Sequence, residues 1–217
     1  MSEIAAWCCW HRSLAPRINQ KTKGENMYTA TALVALLFLQ TSPLVLENDY
    51  VQVFKNSAPC AEAGPSCGER IVVALGSVEV VGQKLARGDI KVFNKGERYS
   101  PPKGGDYVEV NMKPVRPPVK TTSETIEPLK NKPLYNGERF RVFQEQLDPG
   151  DTSPRHSHNQ RVVITINATR VQQWPDGQPE RIGDLVPDHI SFNQPVIHVS
   201  KCVGTNPIRN IIIELKP

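Results

Sequence analysis

Two histidines one residue apart, His156 and His158, are the residues of this chain best suited to metal chemistry. In an extended chain alternate side chains share a face, so both imidazoles would point one way and Ser157 the other. Neutral imidazole is the commonest metal ligand in proteins. The spacing therefore predicts a metal site, with a chance pair of surface histidines as the alternative.

The residues around the pair predict that it lies at the end of a β-strand. Pro149 and Gly150 predict a turn, and the polar residues 151–154 extend it. Residues 161–166, RVVITI, are β-branched at five of six positions. This pattern is typical of a strand buried on both faces or lining a barrel. We expect the site at the mouth of that barrel.

Residues 149–158 resemble the first motif of the cupin family, in which Pro-Gly is followed by five residues, by His-x-His and, three or four residues later, by a glutamate ligand. This chain has Val162 and Val163 where the glutamate would fall. Gln160, in alternating register with the histidines, is the nearest polar substitute. The resemblance implies a jelly-roll barrel that binds a divalent transition metal.

The cupin family takes a further histidine ligand from a second motif, with the form Gly, five residues, Pro-x-Gly, two residues, His. Residues 192–198 resemble it loosely, since Pro195 and His198 are present but closer together than in the family. The resemblance implies His198 as the third ligand. Imidazole ligands suit Zn, Cu, Fe and Ni, and the missing carboxylate disfavours Mn. The predicted cofactor is one of these five metals.

Three further residues are candidates for the site. Gln160 and Arg161 are predicted to bind a substrate beside the metal, where Arg161 would hold a carboxylate; the alternative for Arg161 is an outward cation at the strand start. His189 is either a ligand in place of the missing carboxylate or a surface residue.

The elements that must position these residues form an internal repeat. Residues 48–75 can be aligned with residues 136–166, so that Phe54 matches Phe143 and residues 70–73 match residues 161–164. Farther on, Gly88-Asp89 can be laid on Gly183-Asp184. The first copy has Pro65 and Cys67 opposite the two histidines, so we expect it to be structural.

The fold class follows from short β-branched runs between Gly, Pro and Asn turns, with no helical stripe in the body of the chain. Such strands imply a sandwich or barrel. With the cupin resemblance, we predict an all-β chain of two tandem jelly-roll barrels, the first degenerate. The predicted halves are residues 43–112 and 134–217, joined by a Pro-rich linker over 113–133.

The N-terminal region carries the predictions on localisation. Residues 1–26 are expected to be disordered or a misassigned start. Residues 27–42 resemble a signal peptide, because the apolar octet 32–39 follows positive charge and is far shorter than the ~20 residues of a membrane span. The alternative is a buried helix. We predict a periplasmic or secreted protein, in which Cys60 and Cys67 either form a disulfide or stay free.

Charge and composition limit the partners. The chain has 217 residues, a net charge of +4 and 22% charged residues of mixed sign. This excludes a basic nucleic-acid-binding surface. The remaining predicted partners are a small molecule and a second copy of the chain in a homodimer, with no membrane span after processing. The functions in view are a metal-dependent enzyme, a non-catalytic ligand-binding or structural bicupin, and a plain β-sandwich interaction module.

Overall fold

The computed structural model describes residues 43–61, 66–118 and 131–217. The predicted disordered start and signal peptide lie outside these residues. The described residues form seventeen strands: β1 Leu44–Glu47, β2 Val51–Lys55, β3 Arg70–Ala74, β4 Val78–Val80, β5 Gln83–Leu85, β6 Ile90–Phe93, β7 Lys103–Gly104, β8 Tyr107–Met112, β9 Asn131–Asn136, β10 Phe140–Leu147, β11 Thr152–His158, β12 Arg161–Thr165, β13 Thr169–Pro175, β14 Arg181–Leu185, β15 Ile190–Asn193, β16 Val196–Cys202 and β17 Ile208–Leu215. No helix within the described ranges is long and apolar enough to cross a membrane.

The two halves of the chain have the same order of strands in their larger sheets. The first half has the order β1-β2-β8-β3-β6, and the second has β9-β10-β17-β12-β15. All pairings in both sheets are antiparallel. Position by position, β3 corresponds to β12 and β8 to β17. The prediction of two tandem all-β barrels is confirmed.

The smaller sheets differ by one strand. The second half has the order β14-β13-β16-β11, whereas the first has only β5-β4-β7. In the described part of the first half no strand corresponds to β11. Residues 56–69 take its place in the chain and contain the disulfide between Cys60 and Cys67. Among its described residues, the first barrel therefore has no counterpart of the strand that carries the paired histidines in the second.

One predicted alignment of the repeat is wrong. Strands β6 and β15 hold the same position in their sheets, so Gly88, just before β6, corresponds to Asp188 and not to Gly183. Gly88 has a φ of 90° and Asp188 a φ of 63°, and Gly183 lies within β14. Glycine and aspartate both tolerate positive φ. The two copies therefore share this turn although its residue type differs, and the sequence comparison did not align the two positions.

A single apolar cluster joins the larger sheets of the two halves. It contains alternate residues of strands from both halves, including Val51, Val53, Ile71, Val73, Val108, Val110, Val142, Val162, Ile164, Ile211 and Ile213. Because alternate residues on a strand face opposite ways, the other face of each sheet points into its own barrel. Arg87 also bridges the halves, with an ion pair of 2.6 Å to Asp188 and a bond to the carbonyl of Ile166.

Candidate metal centre

The structure brings the three predicted histidines together. Their candidate ligand atoms all lie within 4.8 Å of one another. His156 and His158 come from β11, and His198 comes from β16, directly opposite His156 in the strand pairing. The three residues are 1%, 2% and 4% exposed, respectively. The cluster is therefore inside the barrel and not at an open mouth.

The local chain conformation explains this position. Asp148 and Asp151 close the predicted turn, in which Gly150 has a φ of 88°. The chain then enters β11 at Thr152, so the polar residues 152–154 belong to a strand and not to a turn as the sequence suggested. The strand is at the edge of its sheet, with an irregularity between Ser153 and His156. Edge strands and bulges tolerate proline, which accommodates Pro154.

Hydrogen bonds on the far side of two rings set their tautomers. His156 Nδ1 lies 2.7 Å from the carbonyl oxygen of Pro154, and His158 Nδ1 lies 3.1 Å from Glu214 Oε2. A carbonyl and a carboxylate only accept hydrogen bonds, so each Nδ1 carries the proton and each Nε2 keeps its lone pair. The two Nε2 atoms are 3.1 Å apart, an arrangement that a shared cation stabilises.

The third ring supplies a further lone pair. His198 Nε2 is buried and has no hydrogen-bond partner among the described residues. Burial lowers the pKa of His198 to about 2, and burial also lowers the pKa of His158. Both rings are therefore neutral at pH 7, as metal binding requires. A tetrahedral zinc site with Zn–N of about 2.0–2.1 Å has nitrogens about 3.3 Å apart. The Nε2 atoms of His156 and His158 have nearly this spacing, and all three candidate ligand atoms lie within 4.8 Å of one another, so the cluster could hold a transition metal.

Glu214 is a residue of the site that sequence reasoning missed. It is 2% exposed and lies in β17, where it bonds His158 and forms a 3.1 Å ion pair with Arg141. Burial alone would raise the pKa of Glu214, but these partners hold it below its ordinary value. The available signal was a lone acid within the apolar run 211–215. The chain thus has a carboxylate behind a ligand instead of the cupin glutamate at the metal.

The other predicted site residues lie around this centre. Arg161 is buried, which excludes an outward cation, and burial lowers its pKa to about 10. Gln160 donates a 3.1 Å hydrogen bond to the side chain of Gln194. His189 is exposed and lies outside the cluster, in agreement with a surface residue.

A cavity of about 250 Å³ lies next to His198. Its lining is polar and includes His198, Arg161 and Gln194 but not Gln160. The lining residues are Arg161, Gln173, Pro175, Gln178, Arg181, Asn193, Gln194, Pro195, Val196 and His198. A metal held by the histidines would thus be near a space for a small molecule.

No family model matches the chain, and no curated protein matches its sequence. Among solved structures, a cupin 2 conserved barrel domain protein from Leptotrichia buccalis is 13% identical, with a match over 81% of this chain and 88% of that protein and a TM-score of 0.48. AerE from Microcystis aeruginosa is 14% identical over 78% of this chain and 89% of its own, with a TM-score of 0.49. A cupin domain from Bordetella pertussis is 15% identical over 44% and 100%, with a TM-score of 0.38.

Each half of the chain combines a five-stranded antiparallel sheet with a smaller one, the two-sheet arrangement of a jelly roll. In the second half, this arrangement brings together the two histidines of the Pro-Gly motif and the histidine expected from the second motif. The described residues thus form two jelly-roll barrels, the second of which has a histidine cluster that could hold a metal.

Proposed function

We propose that the second barrel binds one divalent transition metal ion through His156, His158 and His198. The observation that carries this proposal is the convergence of three buried imidazoles, two of them with Nδ1 bonded to an acceptor and Nε2 turned to the others. Three protein ligands leave a position for water or a small molecule, and His198 lines the adjacent cavity. The protein thus presents a metal to a small ligand.

The choice of metal follows from the ligands. Three neutral imidazoles contribute no negative charge, and they suit Zn, Cu, Ni and Fe better than a hard cation such as Mn. The carboxylate of Glu214 behind His158 offsets part of the positive charge of the ion. We expect zinc or copper to be retained most tightly.

Elemental analysis tests the proposal. Protein purified without an affinity tag would be stripped with a chelator, incubated with each of the five metals and freed of unbound ion. We expect about one metal per chain in the wild type and almost none in His198→Asn, since Nε2 of this residue makes no hydrogen bond that the fold would lose. His189→Asn is the matched control, because His189 is exposed and outside the cluster.

Two results would contradict the metal site. One is a wild-type protein that takes up none of the five ions. The other is a folded His198→Asn variant with the same metal content as the wild type.

Export is a second part of the proposal. The apolar octet 32–39 and the disulfide between Cys60 and Cys67 both suit an exported protein, since such bonds persist in oxidising compartments. Mass analysis of protein from the periplasmic or secreted fraction of expressing cells should give a chain that begins after Thr41. Full-length chain found only in the cytoplasm would contradict export.

A further inference from the structure

Arg161 is a buried cation without an ion-pair partner. It is 7% exposed, and its Nη1 donates hydrogen bonds to the carbonyl oxygens of Asn159 and Gln194 at 3.3 and 3.0 Å. Among the described residues, no carboxylate is within ion-pair distance of its guanidinium. Glu214, which pairs with Arg161 across the strands, instead bonds His158 and Arg141. Glu214 and Glu145 attract this cation from beyond ion-pair distance, but neither forms a direct ion pair with it. Burial of a charge without a direct partner is costly, so this group points to an anionic ligand.

The cavity beside Arg161 has the chemistry that such a ligand needs. Arg161 and His198 line the same space of about 250 Å³. The lining contains a second cation, Arg181, and four amide side chains, but no aspartate or glutamate. The volume is below the roughly 300–1,000 Å³ of pockets for drug-sized ligands. The ligand should therefore be small, negatively charged and able to accept several hydrogen bonds.

The neighbours of Arg161 hold the cavity wall in place. Gln160 donates to the side-chain oxygen of Gln194 at 3.1 Å, while Arg161 donates to the backbone oxygen of the same residue. Gln194 is thus fixed at both its side chain and its backbone. Gln160, which was predicted from the sequence to touch substrate, acts here as a positioning residue behind the wall.

We propose that this cavity binds a small organic carboxylate, whose oxygens accept charge-assisted hydrogen bonds from Arg161. The planar guanidinium matches the geometry of a carboxylate. A second oxygen of the ligand faces the histidine centre, and this second contact rests on the proposed metal binding. The contact with Arg161 does not depend on the metal.

The test is calorimetric titration of the full protein, both zinc-loaded and metal-free, with acetate, glycolate, oxalate and malonate at millimolar concentration. Glycolamide, the uncharged analogue of glycolate, is the matched probe. We expect at least one carboxylate to bind, and glycolamide to bind at least about tenfold more weakly than glycolate if glycolate is that ligand. Arg161→Gln should weaken carboxylate binding by at least about tenfold with an unchanged zinc content.

Arg170→Gln is the control variant, since Arg170 is exposed, pairs with Asp184 and does not line the cavity. It should bind the carboxylate as the wild type does. If circular dichroism indicates that Arg161→Gln is unfolded, Arg161→Lys replaces it, because lysine keeps the positive charge but lacks the planar set of N–H donors of a guanidinium. Weaker carboxylate binding by Arg161→Lys would likewise support the carboxylate site.

The outcomes separate the two proposals. If a zinc-loaded protein binds none of the four carboxylates, or if a folded Arg161 variant binds them like the wild type, the carboxylate site is overturned and the metal centre stands. If the protein takes no zinc and still binds a carboxylate through Arg161, the carboxylate site is supported and the metal centre is overturned.

Discussion

Replacement of Glu214 by glutamine should weaken metal binding without removing a ligand. Glu214 is 2% exposed and accepts a hydrogen bond from His158 Nδ1 over 3.1 Å. This bond holds the ring with Nε2 towards the other histidines and places a negative charge behind it. Glutamine has nearly the same shape as glutamate but no charge, so the substitution tests how much the negative charge of Glu214 contributes to metal affinity.

The magnitude follows from this geometry. Loss of a group that orients a metal-bound histidine typically costs 10–100-fold in affinity, which corresponds to about 1.4–2.7 kcal/mol. We expect the upper part of this range, because a buried charge is poorly screened by solvent. Arg141 also loses its ion pair with Glu214, but this side chain is partly exposed and water can solvate it.

Competition with a chelator of known zinc affinity would measure the dissociation constant of each variant at pH 7.5. Glu145→Gln is the matched control: it removes a carboxylate from the adjacent strand β10 that bonds Asn210 and no histidine. Thermal unfolding of the metal-free proteins would show whether either change merely destabilises the barrel. If Glu214→Gln and Glu145→Gln bind zinc as tightly as the wild type, Glu214 does not orient His158.

Three more perturbations have expected outcomes. His158→Ala should abolish metal binding and also destabilise the metal-free fold by about 1–3 kcal/mol. The reason is that His158 is buried and stacks on Phe143, with ring centroids 6.0 Å apart. An unchanged denaturant midpoint would contradict the expected loss of stability. Burial raises the pKa of Glu109, so the folded state binds more protons than the unfolded state above the ordinary glutamate pKa, and stability should fall as the pH rises through the raised value. Glu109→Gln should remove that part of the decline in melting temperature between pH 4.5 and 8, and an identical pH profile would refute the assignment. The Cys60→Ser, Cys67→Ser double variant should lower the free energy of unfolding by about 2 kcal/mol in chemical denaturation. Zinc binding should be retained, because the disulfide lies in the other barrel, and its loss in a folded variant would contradict this expectation.

Local patterns were enough to predict the all-β class and the histidine pair His156 and His158. Strand β12 is buried along its whole length apart from partly exposed Val163, as its β-branched composition indicates. The spacing of His156 and His158 is itself a local feature of an extended chain. His198 was found through its resemblance to a family motif, and its position opposite His156 agrees with that origin.

Features that depend on sheet pairing were not predictable from local patterns. Glu214 is 56 residues from His158 along the chain, and only the pairing of β12 with β17 brings it into the barrel. The burial of Arg161 has the same cause, because the face of a strand is decided by the partners of its sheet. The turn shared by Gly88 and Asp188 was missed since backbone conformation, and not residue type, is what the two copies have in common.

The correspondence of the two sheets explains why, among the described residues, the histidine cluster occurs in only one half. Arg70 in β3 pairs with Asn111, and Arg161 in β12 pairs with Glu214, at the same position of the two barrels. The first half therefore has an amide where the second has the carboxylate that bonds a histidine. It also lacks, within its described residues, a strand equivalent to β11.

A single histidine introduced into the first barrel would consequently not create a metal site. Among the described residues of that barrel there is no histidine to act as a second ligand, and the buried carboxylate of Glu109 already bonds Tyr99. The interior of that barrel instead contains Arg70, Tyr99 and Glu109, where the tyrosine hydroxyl donates to the carboxylate and the guanidinium lies 5.5 Å from the tyrosine ring centroid. The two halves thus have the same order of strands in their larger sheets, while their interiors carry different polar groups. Among the described residues, the absence of a counterpart of β11, more than any single substitution, distinguishes the first barrel from the one that could hold a metal.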